Sequence, residues 1–204
     1  MIIVEACVDT LEEALDAQAG GAHRIELCAN LAAEGTTPPS RRIRACVSRV
    51  ALPVFVMIRP RAGSFIFADD EIELMLRQAH RARTLGARGL VVGALDHRGR
   101  IDSPAVAALV REAQGLPVTF HRAFDRVADP EAALDELASL GGSRVLTSGG
   151  APTAMEGAAV LARLVRLAGD RIVVVAGGGV RAHNVREIVA RTGVREVHGR
   201  FGTA

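Results

Sequence analysis

The sequence predicts an α/β fold, a parallel (β/α)8 barrel of TIM type, as one domain over residues 1–204 that lacks its final helix. Three observations predict it. Eight short β-branched runs alternate strictly with seven longer amphipathic stretches. Most of the runs are continuously apolar, as parallel strands buried on both faces must be. The first strand-to-helix turn reads CVDT, without the glycines of an open dinucleotide-binding sheet.

The elements follow in order. IIVEACV (2–8) is the first strand, and Asp9 or Thr10 caps a helix that Gly20-Gly21 ends. HRIELC (23–28) is the second strand, followed by a helix near 40–50 with Pro38 or Pro39 at its start. PVFVMIRP (53–60) is the third, and a long helix runs from Asp69 to Leu85. GLVVGAL (89–95) is the fourth, with a helix from Ser103-Pro104 to Gln114. LPVTFHRAF (116–124) is the fifth, with a helix from Asp129-Pro130 to Leu140. SRVLTSGG (143–150) leads to a helix over 152–168, and RIVVVAGGGV (171–180) to one over 181–191. VREVHG (194–199) is the eighth strand. Each helix returns the chain for a right-handed crossover, and eight such units close a barrel. The sequence stops at Ala204, before an eighth helix. An exposed apolar patch beside strand eight, and a homo-oligomer covering it, are therefore expected.

Composition narrows the function. Hydrophobic residues make up 49% of the 204, enough for a large core, and no run approaches the ~18 apolar residues of a membrane span. The N-terminus reads as a strand, not a signal peptide, so a cytoplasmic protein is expected. Tryptophan and tyrosine are absent and the net charge is +2 with arginines scattered, which argues against nucleic acid as a partner. The three cysteines form no close pair in sequence, which fits a reducing compartment. There is no lysine, so Schiff-base chemistry on a lysine amine is excluded.

Barrel enzymes place their sites at the C-terminal strand ends. Strand one offers Glu5 and Cys7, strand two Glu26 and Cys28, each pair on one face by period-two alternation. The carboxylates are either buried ion-pair partners of Arg59 or Arg61, or acid/base groups at the barrel mouth. Strand five ends in His121, Arg122 and Asp125: a proton shuttle, an anion clamp and a carboxylate. Thr147 and Ser148 follow strand six, and Gly177, Gly178 and Gly179 follow strand seven, where exposed N–H groups suit phosphate or carboxylate. His198 closes strand eight. Cys7 and Cys28, on adjacent strands, are either a soft Cu(I) site or two small buried hydrophobes; Cys46 belongs to the core.

The stretches EACVDTLEEALDAQAGGAHRIELCAN, EGTTPPS, IRPRAGSF, VTFHRAFD, RVLTSGG, AGGGVRAHNV and VREVHG together resemble the CutC family of copper-homeostasis proteins, over residues 2 to about 199. The resemblance implies a β/α barrel, a cytoplasmic location, oligomers and a role in copper handling. It implies Cys28 and Cys7 as copper ligands, and its motifs cover Glu26, Arg59, Arg61, His121, Arg122, Asp125, Thr147 and Ser148. Two functions are thus expected to compete. One is a copper homeostasis protein binding Cu(I) through Cys7 and Cys28. The other is a barrel enzyme acting on a small anionic metabolite. In it the Arg59, Arg61 and Gly177–Gly179 groups hold the anion, and His121 with Glu5 or Glu26 moves protons.

Overall fold

The computed structural model describes residues 1–201. Eight parallel strands close a barrel in sequence order: β1 Ile3–Val8, β2 Arg24–Leu27, β3 Val54–Met57, β4 Gly89–Val92, β5 Val118–Phe120, β6 Arg144–Thr147, β7 Val173–Ala176 and β8 Glu196–Gly199. Strand β8 pairs back onto β1, with Glu5 level with His198. Seven helices alternate with them: α1 Leu11–Ala19, α2 Ser40–Arg49, α3 Asp69–Thr84, α4 Ser103–Ala113, α5 Pro130–Ser139, α6 Ala158–Ala168 and α7 Val185–Thr192. No helix is long and apolar enough to cross a membrane among the described residues.

The helix starts have side-chain causes. Thr10 accepts from the Glu13 N–H at 3.0 Å, Asp102 from Ala105 at 3.1 Å, and Asp129 from Glu131 and Ala132 at 3.1 Å. Apolar helix faces meet the outer strand faces in two clusters, one around Leu27, Val56 and Leu90 and one around Val145, Leu164 and Val197. A third, small cluster fills the barrel interior: Cys28, Phe55, Met57 and Val91, joined by Cys7 and Leu31.

Most strands are shorter than their apolar runs, β4 for example ending at Val92 rather than residue 95, and three boundaries differ for a visible reason. Strand β5 ends at Phe120, because the His121 ring nitrogen Nδ1 accepts from the Ala123 N–H and turns Arg122–Arg126 into a short 3-10 helix. Helix α6 begins at Ala158, not near 152, because residues 148–157 form turns anchored on Asp125 and Thr153. Helix α7 likewise begins at Val185, after an Asn184 side chain that bonds Arg181 N and Gly179 O. Of the apolar patch expected beside β8, Val173 on the paired strand β7 is the one large exposed hydrophobic among the described residues, whereas Val197 is buried and Phe201 packs against both large clusters.

Candidate functional site

Two polar layers are stacked inside the barrel. The lower one is an ion network at the N-terminal strand ends. Arg24 bonds Glu5 through Nε and reaches Glu196 at 2.6 Å through Nη2, and Arg144 joins Glu196 at 3.1 Å. The guanidiniums of Arg24 and Arg144 lie 4.8 and 5.3 Å from the Phe55 ring centre. This places Glu5 in a structural pair with Arg24, not with Arg59 or Arg61. Burial alone would push the Glu5 carboxyl up, but the hydrogen bond with His198 and the Arg24 charge override it and hold it at about 2.

The upper layer lines a cavity of about 510 Å³ at the C-terminal strand ends. Its floor joins β1, β2 and β8. Cys7 Sγ lies 4.0 Å from Cys28 Sγ, and the ligand atoms of Cys7, Glu26 and His198 all lie within 4.8 Å of one another. His198 is tied down from below by Glu5 at 2.8 Å from its Nδ1, and its Nε2 sits 3.5 Å from Glu26. The hydrogen bond from Cys28 draws the Cys7 thiol well below its usual range, while the same contact and burial push Cys28 up, so Cys28 keeps its proton. Burial, then the Cys7 charge, push Glu26 well above the carboxylate range. Burial works against a charged His198, but Glu26, Cys7 and Glu5 outweigh it and raise its pKa.

The walls come from the loops. Arg59 is 1% exposed and donates to the carbonyls of Ala33, Gly35 and Gly63 at 2.9–3.1 Å, over the face of Phe65. Beside it, the His121 ring sits against Phe65 at 5.0 Å between centroids and against the bare Cα of Gly93, where a Cβ would come within 2.4 Å of the ring. Burial, with the nearby Arg59 charge, lowers the His121 pKa to about 3, so the imidazole is neutral at physiological pH. Because Nδ1 accepts from Ala123, Nε2 carries the proton. Four buried side-chain atoms lack any partner among the described residues: Glu26 Oε1, Arg59 Nε, His121 Nε2 and Thr119 Oγ1. The first three belong to residues lining the cavity.

Asp125 organises the opposite wall. Its two oxygens accept from Thr147 Oγ1 at 2.5 Å, Ser148 N at 3.0 Å, Gly150 N at 3.1 Å and Arg122 Nε at 2.7 Å. With its acceptor capacity filled, Asp125 positions these groups; no free lone pair is left for acid/base work. Thr147 and Ser148 lie behind the cavity wall and hold this turn, Ser148 also accepting from Arg122 Nη2 at 3.0 Å. Arg122, Gly178 and Gly179 line the cavity, whereas Gly177 lies beneath it, where a Cβ would meet Leu146 at 2.5 Å. Arg61 points away: it pairs with Glu71 at the start of α3 at 2.6 Å and bonds the Ser64 and Ile66 carbonyls.

The structure therefore gathers Cys7, Glu26, Cys28, Arg59, His121, Arg122, Asp125, Gly178, Gly179 and His198 around one cavity. It adds residues that sequence reasoning missed: Phe65, Arg126, Arg181 and Arg200. Arg126 and Arg200 stand one residue beyond FHRAFD and VREVHG, while Phe65 and Arg181 lie within IRPRAGSF and AGGGVRAHNV but were not singled out there.

The family model for CutC, described as the CutC family, matches residues 2–203. The chain belongs to the CutC family. A CutC family protein of Photobacterium profundum is 44% identical over 197 residues, covering 97% of this chain and 80% of that one. The human copper homeostasis protein cutC homolog is 47% identical over 196 residues, 96% of this chain and 72% of that one. Among solved structures, the CutC fold is matched by a crystal structure described as a copper homeostasis protein, CutC, of Streptococcus agalactiae. It has a TM-score of 0.94 and 36% identity, and both chains are covered completely. An aldolase at 15% identity and a TM-score of 0.71 shares the barrel alone, with 97% of this chain and 88% of that one covered. The lysine-free CutC sequence has no lysine amine for a Schiff base.

Proposed function

We propose that the chain binds copper(I) between Cys7 and Cys28 on the floor of the cavity, as a cytoplasmic copper-homeostasis protein. The observation that carries this reading is the 4.0 Å approach of the two sulfurs, on neighbouring strands and in the absence of a disulfide. That separation is a little under twice a metal–thiolate bond of about 2.3 Å, so one ion fits between them after a small adjustment. Thiolates are soft donors that favour Cu(I) over hard cations. The surroundings fit such an ion: Met57 and Val91 pack with Cys28 in a small apolar cluster. Cys7 is drawn towards its thiolate by the Cys28 contact, while Cys28 must release its proton on binding, so affinity rises with pH. Three free cysteines in a buried or half-buried state also suit a reducing compartment, which supports the cytoplasmic location.

The test is an anaerobic Cu(I) titration against a chromophoric chelator. Cys7→Ser and Cys28→Ser should each weaken binding, and the double variant should lose at least about 100-fold, the effect that even outer-shell changes can reach. Unchanged affinity in the double variant, with an intact fold by circular dichroism, rejects the thiol site.

A further inference from the structure

Copper at two thiols leaves the upper cavity unused. Its wall carries five arginines, Arg59, Arg122, Arg126, Arg181 and Arg200, against three acids, of which Glu26 lies on the floor, Glu34 is near Arg59, and Asp125 is already engaged by Arg122 and the turn after β6. Just past β7, Gly178 and Gly179 take positive φ values of 94° and 71°. The N–H groups of Gly178, Gly179 and Val180 make no hydrogen bond to any described residue. Successive free N–H groups in such a turn form a concave seat for an anion. Arg122 is held beside that seat: Asp125 fixes its Nε and Ser148 its Nη2, and a Cβ on Gly178 would lie 3.6 Å from the remaining Nη1. Elsewhere on the wall stand the two unpartnered donors, Arg59 Nε and His121 Nε2, on side chains that are 1% and 3% exposed. Buried donors without acceptors are costly, and a ligand oxygen would satisfy them.

We infer that the cavity is a binding site for a small phosphate monoester, its phosphate seated on Gly178–Val180 with Arg122 and Arg181, and an uncharged oxygen of its carbon skeleton received by Arg59 and His121. Successive free N–H groups and two guanidiniums match a tetrahedral dianion better than a planar carboxylate. The end of strand seven is also where barrels of this type commonly hold phosphate, and a volume of about 510 Å³ suits a ligand of metabolite size. The inference is independent of copper, because none of these groups is a thiol.

Calorimetry on the full, metal-free chain at low ionic strength tests it, with glycerol 3-phosphate, inorganic phosphate, glycerol and acetate as probes. Glycerol 3-phosphate should bind more tightly than inorganic phosphate, and glycerol and acetate should give no heat. Arg181 is exposed, so Arg181→Ala keeps the fold while weakening glycerol 3-phosphate about tenfold. His121→Phe should weaken glycerol 3-phosphate but leave inorganic phosphate unchanged. The Cys7→Ser/Cys28→Ser variant should bind both as the parent does. The inference fails if neither phosphate binds at millimolar concentration, if acetate binds equally well, or if Arg181→Ala and Arg122→Gln both leave the affinity unchanged.

Discussion

The two polar layers inside the barrel use the same kinds of side chain and differ in how completely they are satisfied. In the lower layer Arg24, Glu5, Arg144 and Glu196 neutralise one another, and Phe55 covers the guanidiniums. In the upper layer Glu26, Arg59 and His121 are as deeply buried, yet each keeps one polar atom without a partner. Burial of a charge is tolerable only with compensation, so the lower layer is complete in the free protein, whereas the upper layer keeps polar atoms free to receive a ligand. The same contrast divides the two strand-one residues: Glu5 faces the structural network, and Cys7, one pleat further along, faces the cavity.

The sharpest way to break this comparison is to remove Arg24. Arg24→Met keeps the volume but leaves Glu5 and Glu196 buried with one cation fewer. The expected loss is about 3–5 kcal/mol in urea denaturation, as for other buried pairs cut on one side. Copper affinity measured on the folded fraction should change little. A loss below about 1 kcal/mol would remove the structural status of the lower layer.

Acid separates the layers next. Glu5 is held at about 2 against an ordinary 4.5, a depressed carboxylate. Its contribution is therefore present above pH 4.5 and lost as pH falls towards 2, an effect of about 3 kcal/mol. His121 sits at about 3 against 6.5, so the unfolded chain takes up a proton first as pH falls below 6.5, and stability drops by an amount of similar order before pH 3. Glu26, whose carboxyl is pushed up, gains stability as pH falls towards 4.5 and offsets the His121 loss over the same range, so the His121 contribution is read as the difference between the parent and His121→Gln. The variant should gain on the parent as pH falls from 6.5 towards 4.5, and both should decline below pH 4.5 as Glu5 is protonated. By nuclear magnetic resonance the His121 ring should show no titration between pH 8 and 4; a midpoint near 6.5 would place the ring in water.

The barrel was legible because its signals are local and repeated: apolar runs of strand length recur eight times, three helices start at a capping Thr or Asp, and most helices end at or near a glycine. Period-two alternation was enough to put Cys7, Glu26 and Cys28 on the cavity side. The two arginines of IRPR show where such reasoning stops. Strand β3 ends at Met57, and the course of the next ten residues is set by Phe65 folding back over Arg59 and His121. Arg59 is thereby kept inside while Arg61 is drawn out to the first turn of α3, where Glu71 waits with its own bond to the Ala68 N–H. No spacing rule contains that contact. Asp125 is similar: its type suggests a proton carrier, and only the convergence of Thr147, Ser148, Gly150 and Arg122 on its oxygens reveals a positioning anion. The Glu5–Arg24–Glu196 network joins strands one, two and eight, a closure that exists only once the barrel is formed.

The smallest effect has the opposite sign and sharpens the contrast most directly. If an unpartnered atom costs stability, taking it away should stabilise the free protein. Thr119 Oγ1 is the control, because it is buried on β5 and does not line the cavity. Thr119→Val replaces the hydroxyl with a methyl of nearly equal size, and a gain of about 1 kcal/mol is expected with ligand affinity unchanged. Glu26→Met removes the orphaned Oε1 while His198 retains Glu5 at 2.8 Å, so it should gain about 1–2 kcal/mol. Here the gain should come with altered copper binding, because Glu26 lies in the Cys7–His198 cluster. A Glu26→Met variant that is less stable than the parent, beside a stabilised Thr119→Val, would move Glu26 into the structural layer. The boundary between the two layers would then run above Glu26, and only the loop-borne groups would be left waiting for a ligand.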